Sequence, residues 1–276
     1  MQNHNILVTG ATGFLGKRLV QYLQSKGNLV IGTGFSEAGI KKFEREVSNS
    51  VKIYSIDISS DYTLIKNIIR KHKIQYIIHA AALKHVGICE DNPSRAINVN
   101  ILGSLNIIKA ALECDIKNVI AVSTDKSIDP TCTYGMTKKL MEEVFKENNF
   151  GIFQGVNFLF SSESVLDVWD QLKEKGETIL SNPSAVRYFC TVEQVCESIA
   201  NSLDSTTTFS IDYCYKIFIS DLQQAFSTYH NYWNVDEYKP LDIEKIEEEL
   251  PLGDITIEIP RVPEIINLFE EFYNKG

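Results

Sequence analysis

The sequence predicts an α/β protein: a doubly wound parallel sheet followed by a small α+β C-terminal domain. Three observations carry that expectation. Short apolar runs bounded by turn residues recur through the first half of the 276-residue chain. Segments with helical periodicity separate them, and a glycine-rich turn follows the first run directly. With 44% hydrophobic and 23% charged residues, the chain can bury one large core or two unequal ones.

Ile6 to Val8, Leu29 to Ile31, Val51 to Ile56, Tyr76 to Ile78 and Val119 to Val122 read as buried parallel strands, because they are continuously apolar rather than alternating. Phe14 to Ser25, Asp61 to Lys71, Ala96 to Glu113 and Thr133 to Asn148 have the spacing of helices. Such alternation closes right-handed crossovers, and ligands bind these sheets beyond the carboxyl ends of the strands. The loops after Val8, Ile56, Ile78 and Val122 therefore mark the expected site. Past Gly151 the alternation weakens, and Gly155 to Leu159 reads as one more strand leaving the first domain, so a boundary is expected after residue 155. Helices are then expected at Val165 to Lys173, Val192 to Leu203 and Ile265 to Tyr273, and strands near Lys216 to Ile219 and Thr256 to Ile259. The acidic run Glu244 to Glu249 reads as a solvated helix face, and the closing helix offers a docking face to a partner subunit, so a homo-oligomer is expected.

A formal net charge of -9 speaks against nucleic acid or an anionic membrane as the main partner, but is compatible with a local phosphate pocket. Met1 to His4 lacks the basic start and apolar run of a leader, and no segment reads as a membrane span. A cytoplasmic protein is expected. The six cysteines form no Cys-x-x-Cys pair and the five histidines have no helical ligand spacing, so reduced buried thiols are expected and no metal.

Thr9-Gly10-Ala11-Thr12-Gly13-Phe14-Leu15-Gly16 closes the first strand and opens the first helix. Glycine there permits a tight turn and lets backbone approach a pyrophosphate at the positive helix end, as in dinucleotide sites. Gly10, Thr12, Gly13, Phe14, Leu15 and Gly16 are the expected contacts. An acid at the end of the second strand normally accepts the ribose hydroxyls of NAD. Here the chain reads Thr33-Gly34-Phe35-Ser36 with Lys41, Lys42 and Arg45 beyond, so NADP is favoured over NAD, with Ser36 on its phosphate. The alternative is that the basic residues only cover a helix surface. Asp57, with Ile58, ends the third strand and either accepts the adenine amino group or caps a helix. In His79-Ala80-Ala81-Ala82-Leu83-Lys84-His85-Val86, small Ala80 and Ala81 let backbone pass close to the cofactor ribose and Lys84 points to a phosphate or sugar hydroxyl. The plainer alternative is a tightly packed strand end.

Tyr134 and Lys138 lie one helical turn apart after the fifth strand. A phenol serves as a base near neutral pH only beside a positive charge, which Lys138 can supply while also holding a ribose hydroxyl. Thr124 can hydrogen-bond the hydroxyl being oxidised. Asp125 and Lys126 add a second acid/base pair, able to address two neighbouring carbons of one substrate, with Lys126 as base and Asp125 as proton donor to a leaving hydroxyl. A loop salt bridge or helix cap is the other reading of that pair. Together the two couples point to elimination chemistry.

With Ser123-Thr124-Asp125-Lys126, Tyr134, Lys138, the His79 to Val86 segment and Arg187-Tyr188-Phe189-Cys190-Thr191, the chain resembles the extended short-chain dehydrogenase/reductases of the Rossmann type. Within them it is most similar to the inverting UDP-N-acetylglucosamine 4,6-dehydratases of surface-sugar biosynthesis. The likeness covers most of the first 200 residues, and Lys239-Pro240 and Lys245 to Leu250 are similar to a C-terminal segment of that family. Related retaining enzymes carry Thr-Asp-Glu where this chain has Thr124-Asp125-Lys126.

The resemblance implies a UDP-sugar substrate and an NADP that is regenerated in each turnover. Tyr134, supported by Lys138, takes the C4 hydroxyl proton, Lys126 removes the C5 proton, Asp125 protonates the departing C6 hydroxyl, and C5 is inverted. It further implies an NADP domain over 1–155 and a substrate domain over 156–276, with Lys84, Asn157 and Arg187 on the substrate. The chain departs from the family at Phe160-Ser161-Ser162-Glu163, where Gly-Ser-Arg-Gly is usual, in having no arginine after the second strand, and in a shorter substrate domain. Two alternatives stay open: another nucleotide-sugar dehydratase or epimerase of the same fold, and a non-catalytic NADP-binding scaffold.

Overall fold

The structure is a computed structural model that describes residues 3–47, 51–162, 164–237, 250–251 and 254–274. Ile6-Leu7-Val8 becomes β1 (Asn5–Thr9), with each of the three at most 1% exposed, as expected for a strand covered by helices on both faces. After it come α1 (Phe14–Ser25), β2 (Leu29–Gly34), α2 (Glu37–Glu46), β3 (Lys52–Ser55), α3 (Tyr62–Lys71) and β4 (Tyr76–His79). A short α4 (Val86–Asp91) leads to α5 (Pro93–Ile97), which passes through a π-helical turn, Asn98–Leu102, into α6 (Gly103–Glu113). β5 (Asn118–Thr124) then ends in a 3-10 turn, Asp125–Ser127, before α7 (Thr133–Glu147) and β6 (Gly151–Gly155). Helices α2 and α4 lie outside those expected. The first buries only Phe43 and the second has six residues, so neither displays a long apolar stripe.

The single strand expected at Gly155 to Leu159 is split. β6 ends at Gly155 in the first sheet, and β7 (Asn157–Phe158) begins another. Next come α8 (Val165–Lys175), β8 (Ile179–Ser181) and β9 (Val186–Cys190). The chain then returns: α9 (Val192–Asn201) packs on α1, and β10 (Thr208–Phe209) pairs in parallel with β6, Phe209 opposite Phe153. It closes with β11 (Tyr213–Phe218), α10 (Ile219–His230), β12 (Val235–Glu237), β13 (Thr256–Glu258) and α11 (Val262–Tyr273).

Two compact units result, Met1–Gly155 with Val192–Ser210 and Pro251–Gly253, and Val156–Thr191 with Ile211–Leu250 and Asp254–Gly276. One boundary after Gly155 therefore does not describe the chain, because α9 and β10 complete the first unit. That unit holds a seven-stranded parallel sheet in the order β10-β6-β5-β4-β1-β2-β3. Strand order reverses beside β1, and the register pairs Val8 with both Gly32 and Ile78, so these strands end level at one edge. Its core joins Leu7, Ile31, Ile77, Val119, Met141 and Phe145. In the second unit a four-stranded sheet, β13-β11-β9-β7, and the β12-β8 pair pack around Trp169, Phe226, Ile265 and Phe269. Glu163, Lys239-Pro240 and the Glu244 to Glu249 run lie outside the described residues. Among the described residues, no helix is long and apolar enough to cross a membrane.

Candidate active site

The turn after β1 is shaped by two missing side chains. Gly10 has φ of 67°, and a Cβ on it would lie 2.8 Å from backbone atoms of Ala81. The glycine turn and the Ala80-Ala81 backbone thus touch directly, which only glycine allows. A Cβ on Gly16 would come within 2.1 Å of the Gly10 carbonyl oxygen, so α1 sits against the turn itself. Gly13 is the N-cap of α1 and bonds back to Gly10 through its N–H (2.9 Å), and no side chain caps the helix. An uncapped, glycine-walled helix start fits a pyrophosphate. Thr12 packs against Gly34 at the end of β2, Phe14 is partly buried, and Leu15 turns its side chain into the core.

Ser36 is exposed and caps α2, its hydroxyl accepting the Gly39 N–H at 3.1 Å. The basic residues beyond it are engaged on the helix surface: Lys42 pairs with Glu46 (3.7 Å) and Arg45 Nε donates to the Lys41 carbonyl (3.2 Å). Asp57 Oδ1 accepts from the Ser59 N–H (2.9 Å) and hydroxyl (2.6 Å), while Asp61 accepts the Asp57 N–H. This is the turn leading into α3. Ile58 is buried and fills the space beside Gly103.

After β4, the His79 ring bridges Thr9 Oγ1 (2.8 Å) and Ser104 Oγ (3.0 Å) and stacks on Phe145. Burial, and then the Lys138 charge, lower its pKa to about 3, so it is a neutral packing residue. Ala80, Ala81 and the exposed Lys84 follow. Asn100, on the π-helical turn, grips this loop by both backbone groups of Leu83: Oδ1 accepts the N–H (2.7 Å) and Nδ2 donates to the carbonyl (3.0 Å). The same Nδ2 donates to Thr137 on α7 (2.9 Å). From α4, Glu90 accepts both the N–H and the hydroxyl of Thr133 at the start of α7. Sequence reasoning missed both residues. A π-turn leaves no mark in periodicity, although such turns favour functional sites.

Thr124, Asp125, Lys126, Tyr134 and Lys138 are brought together between β5 and α7. Asp125 Oδ1 accepts from Thr124 Oγ1 (2.7 Å), the Lys126 N–H (2.9 Å) and Lys126 Nζ (3.4 Å), with the Asp125 side chain 1% exposed. Burial raises the Tyr134 pKa; the Lys126 charge opposes it, Asp125 reinforces it, and a Thr124 hydrogen bond lowers it. Lys138, expected to support the phenol, donates to the Val122 carbonyl (2.6 Å) and contacts Met141 Sδ. Burial lowers its pKa to about 7, with Glu142 acting the other way. In the second unit, Asn157 on β7 donates to the Tyr188 carbonyl on β9 (3.0 Å), and Arg187 Nη1 to its neighbouring Val186 carbonyl (2.9 Å).

The family described as polysaccharide biosynthesis protein matches residues 6–250. A UDP-N-acetylglucosamine 4,6-dehydratase (inverting) of Campylobacter jejuni is 32% identical over 215 residues, 72% of this chain and 63% of that one. The chain spans 35% to 63% of the length of the first curated relatives it matches. Pen from Bacillus thuringiensis has a TM-score of 0.83 at 25% identity, covering 90% of this chain and 82% of that one. The dTDP-glucose 4,6-dehydratase DesIV of Streptomyces venezuelae, solved with NAD and TYD bound, has a TM-score of 0.84 over 98% and 97% of the two chains; at 16% identity it shows the fold alone.

Proposed function

The chain belongs to the polysaccharide biosynthesis protein family, within the extended short-chain dehydrogenase/reductases, and on that premise we propose that it is a UDP-N-acetylglucosamine 4,6-dehydratase that inverts C5. One observation carries the reading. Asp125 Oδ1 accepts from both Thr124 and Lys126, and the α7 backbone at Gly135, the neighbour of Tyr134, rests on the Lys126 carbonyl, so the reading has two proton-handling couples address one place. Oxidation alone needs only one.

The glycine-walled start of α1 would hold the pyrophosphate of a nicotinamide dinucleotide, and the Gly10 and Ala81 backbones its ribose side. Held there, a nicotinamide would supply the reversible hydride chemistry between C4 and C6. NADP is favoured because β2 ends in Gly34 and no acid precedes Glu37. Tyr134 removes the C4 hydroxyl proton, and the resulting ketone acidifies the C5 hydrogen. Within the Asp125-Lys126 ion pair (3.4 Å) the ammonium first passes a proton to the carboxylate. The neutral Lys126 amine then takes the C5 proton while the protonated Asp125 gives one to the departing C6 hydroxyl, which leaves as water and returns the pair to its starting charges. A proton delivered to the opposite face of C5 completes the inversion.

Lys84, Asn157 and Arg187 would hold the UDP-sugar, the guanidinium suiting a diphosphate. The first unit, Met1–Gly155 completed by Val192–Ser210, would serve the cofactor, and the second the substrate. The working form would be a cytoplasmic homo-oligomer, for which exposed Met136 and Leu140 on α7 leave apolar surface.

Incubation with UDP-N-acetylglucosamine in heavy water should give a 4-keto-6-deoxy sugar with deuterium at an inverted C5. Retained configuration would assign a retaining enzyme, and absent turnover a scaffold. Lys126→Ala should lower product formation by about 100-fold or more, as for loss of a general base, while cofactor binding persists. Unchanged product formation would remove Lys126 from the mechanism.

A further inference from the structure

Glu142 lies on α7, one turn beyond Lys138 and two beyond Tyr134, and is 0% exposed. A buried carboxylate is strongly destabilising unless its oxygens receive hydrogen bonds. One oxygen, Oε1, accepts from Ser123 Oγ (2.5 Å), from Gln154 Nε2 on β6 (3.0 Å) and from Ser127 Oγ. Ser123 precedes Thr124 near the end of β5, and Ser127 closes the 3-10 turn immediately after Lys126. Ser127 also reaches the Thr124 carbonyl (2.6 Å). The carboxylate is therefore tied to the chain on both sides of Asp125 and Lys126.

Nearer its start, the same helix touches the turn a second time. A Cβ on Gly135 would lie 2.3 Å from the Lys126 carbonyl oxygen, so the α7 backbone rests on the turn directly. Two charges face Glu142 from its own helix, Lys138 and Lys146, the latter 4.0 Å from Oε2.

We infer that Glu142 is a positioning residue: it locks the Asp125-Lys126 turn to the helix carrying Tyr134 and Lys138, fixing the spacing between the two couples. The inference rests on the dehydratase reading, in which C4, C5 and C6 of one sugar must meet both couples at once. Active groups must be held within about 0.5 Å of productive geometry. Glu142 does this from behind, touching no reacting atom itself.

Glu142→Leu keeps the bulk and removes the acceptor. It should slow deuterium entry at C5 about 100-fold, the cost of a misplacement near 1 Å, and slow C4 oxidation, read as reduced nicotinamide absorbance in a single turnover, by no more than about tenfold, the indirect effect of shifting Thr124 and Lys126 beside Tyr134. KM should stay within about twofold, since the contacts that bind substrate are untouched. Glu142→Gln retains a side-chain oxygen for Ser123 and Ser127 and should restore most of the C5 exchange. Should Glu142→Leu fail to fold, Ser127→Ala carries the test, because it cuts the tie and leaves the carboxylate bonded to Ser123 and Gln154. Equal slowing of both steps, or slowing of neither, overturns the inference. An unaltered protein that forms no 4-keto-6-deoxy sugar instead overturns the reading beneath it.

Discussion

With both ring nitrogens bonded and 1% of its surface exposed, His79 stays neutral in the folded protein. Burial, and then the Lys138 charge, lower its pKa to about 3 in the folded chain, against about 6.5 for a free imidazole. The unfolded chain therefore binds this proton first as pH falls. Stability owed to His79 is complete above about pH 6.5 and is lost as pH drops toward about 3, by roughly 1.4 kcal/mol per pH unit. His79→Gln, which carries no titrating ring, should show a smaller fall in urea midpoint between pH 7 and pH 5 than the unaltered protein. Equal falls would mean that the ring is protonated in the native state. The sequence located His79 at a strand end, without the spacing of a metal ligand. It could not show that Thr9 and Ser104 would meet the ring, since the partners lie 70 and 25 residues away.

Helix α1 was legible because glycine spacing and apolar periodicity coincide there. What the pattern leaves out is how closely the helix lies on the β1 turn. Gly16→Ala puts a methyl group into space held by the Gly10 carbonyl, and overpacking of this kind costs about 1–3 kcal/mol. The variant should unfold at lower urea and bind a nicotinamide dinucleotide more weakly; an unchanged urea midpoint would show that α1 can back away from the turn. Helix α7 was equally legible, and Tyr134 and Lys138 fall one turn apart on it. Its role as a clamp was not. Glu142 continues the same four-residue step within a buried stripe of Thr137, Lys138, Met141 and Phe145, a charged residue out of place on that stripe. That oddity was the available signal.

Across the whole molecule, the chain completes its first unit only after leaving it. A fragment ending at Gly155, where the sequence sets its boundary, lacks β10 beside β6 and α9 on α1. It should lose the burial of Phe153 against Phe209 and of the α1 face on which α9 packs. Circular dichroism melting should show no cooperative transition for the fragment; a melt like that of the full chain would make α9 and β10 dispensable. By itself the sequence determined the parallel α/β sheet, the glycine turn and the placing of Asp125, Lys126, Tyr134 and Lys138 after β5, because continuous apolar runs, turn residues and one-turn spacing are properties of neighbouring residues. Only the tertiary structure decided which segment supplies the seventh strand, which backbone groups Asn100 and Lys138 hold, and what ties the Asp125-Lys126 turn to α7. Those depend on pairs such as Ile152 with Thr208, Leu83 with Asn100 and Ser123 with Glu142. Their meeting is set by the packing of the whole sheet, which no local pattern records.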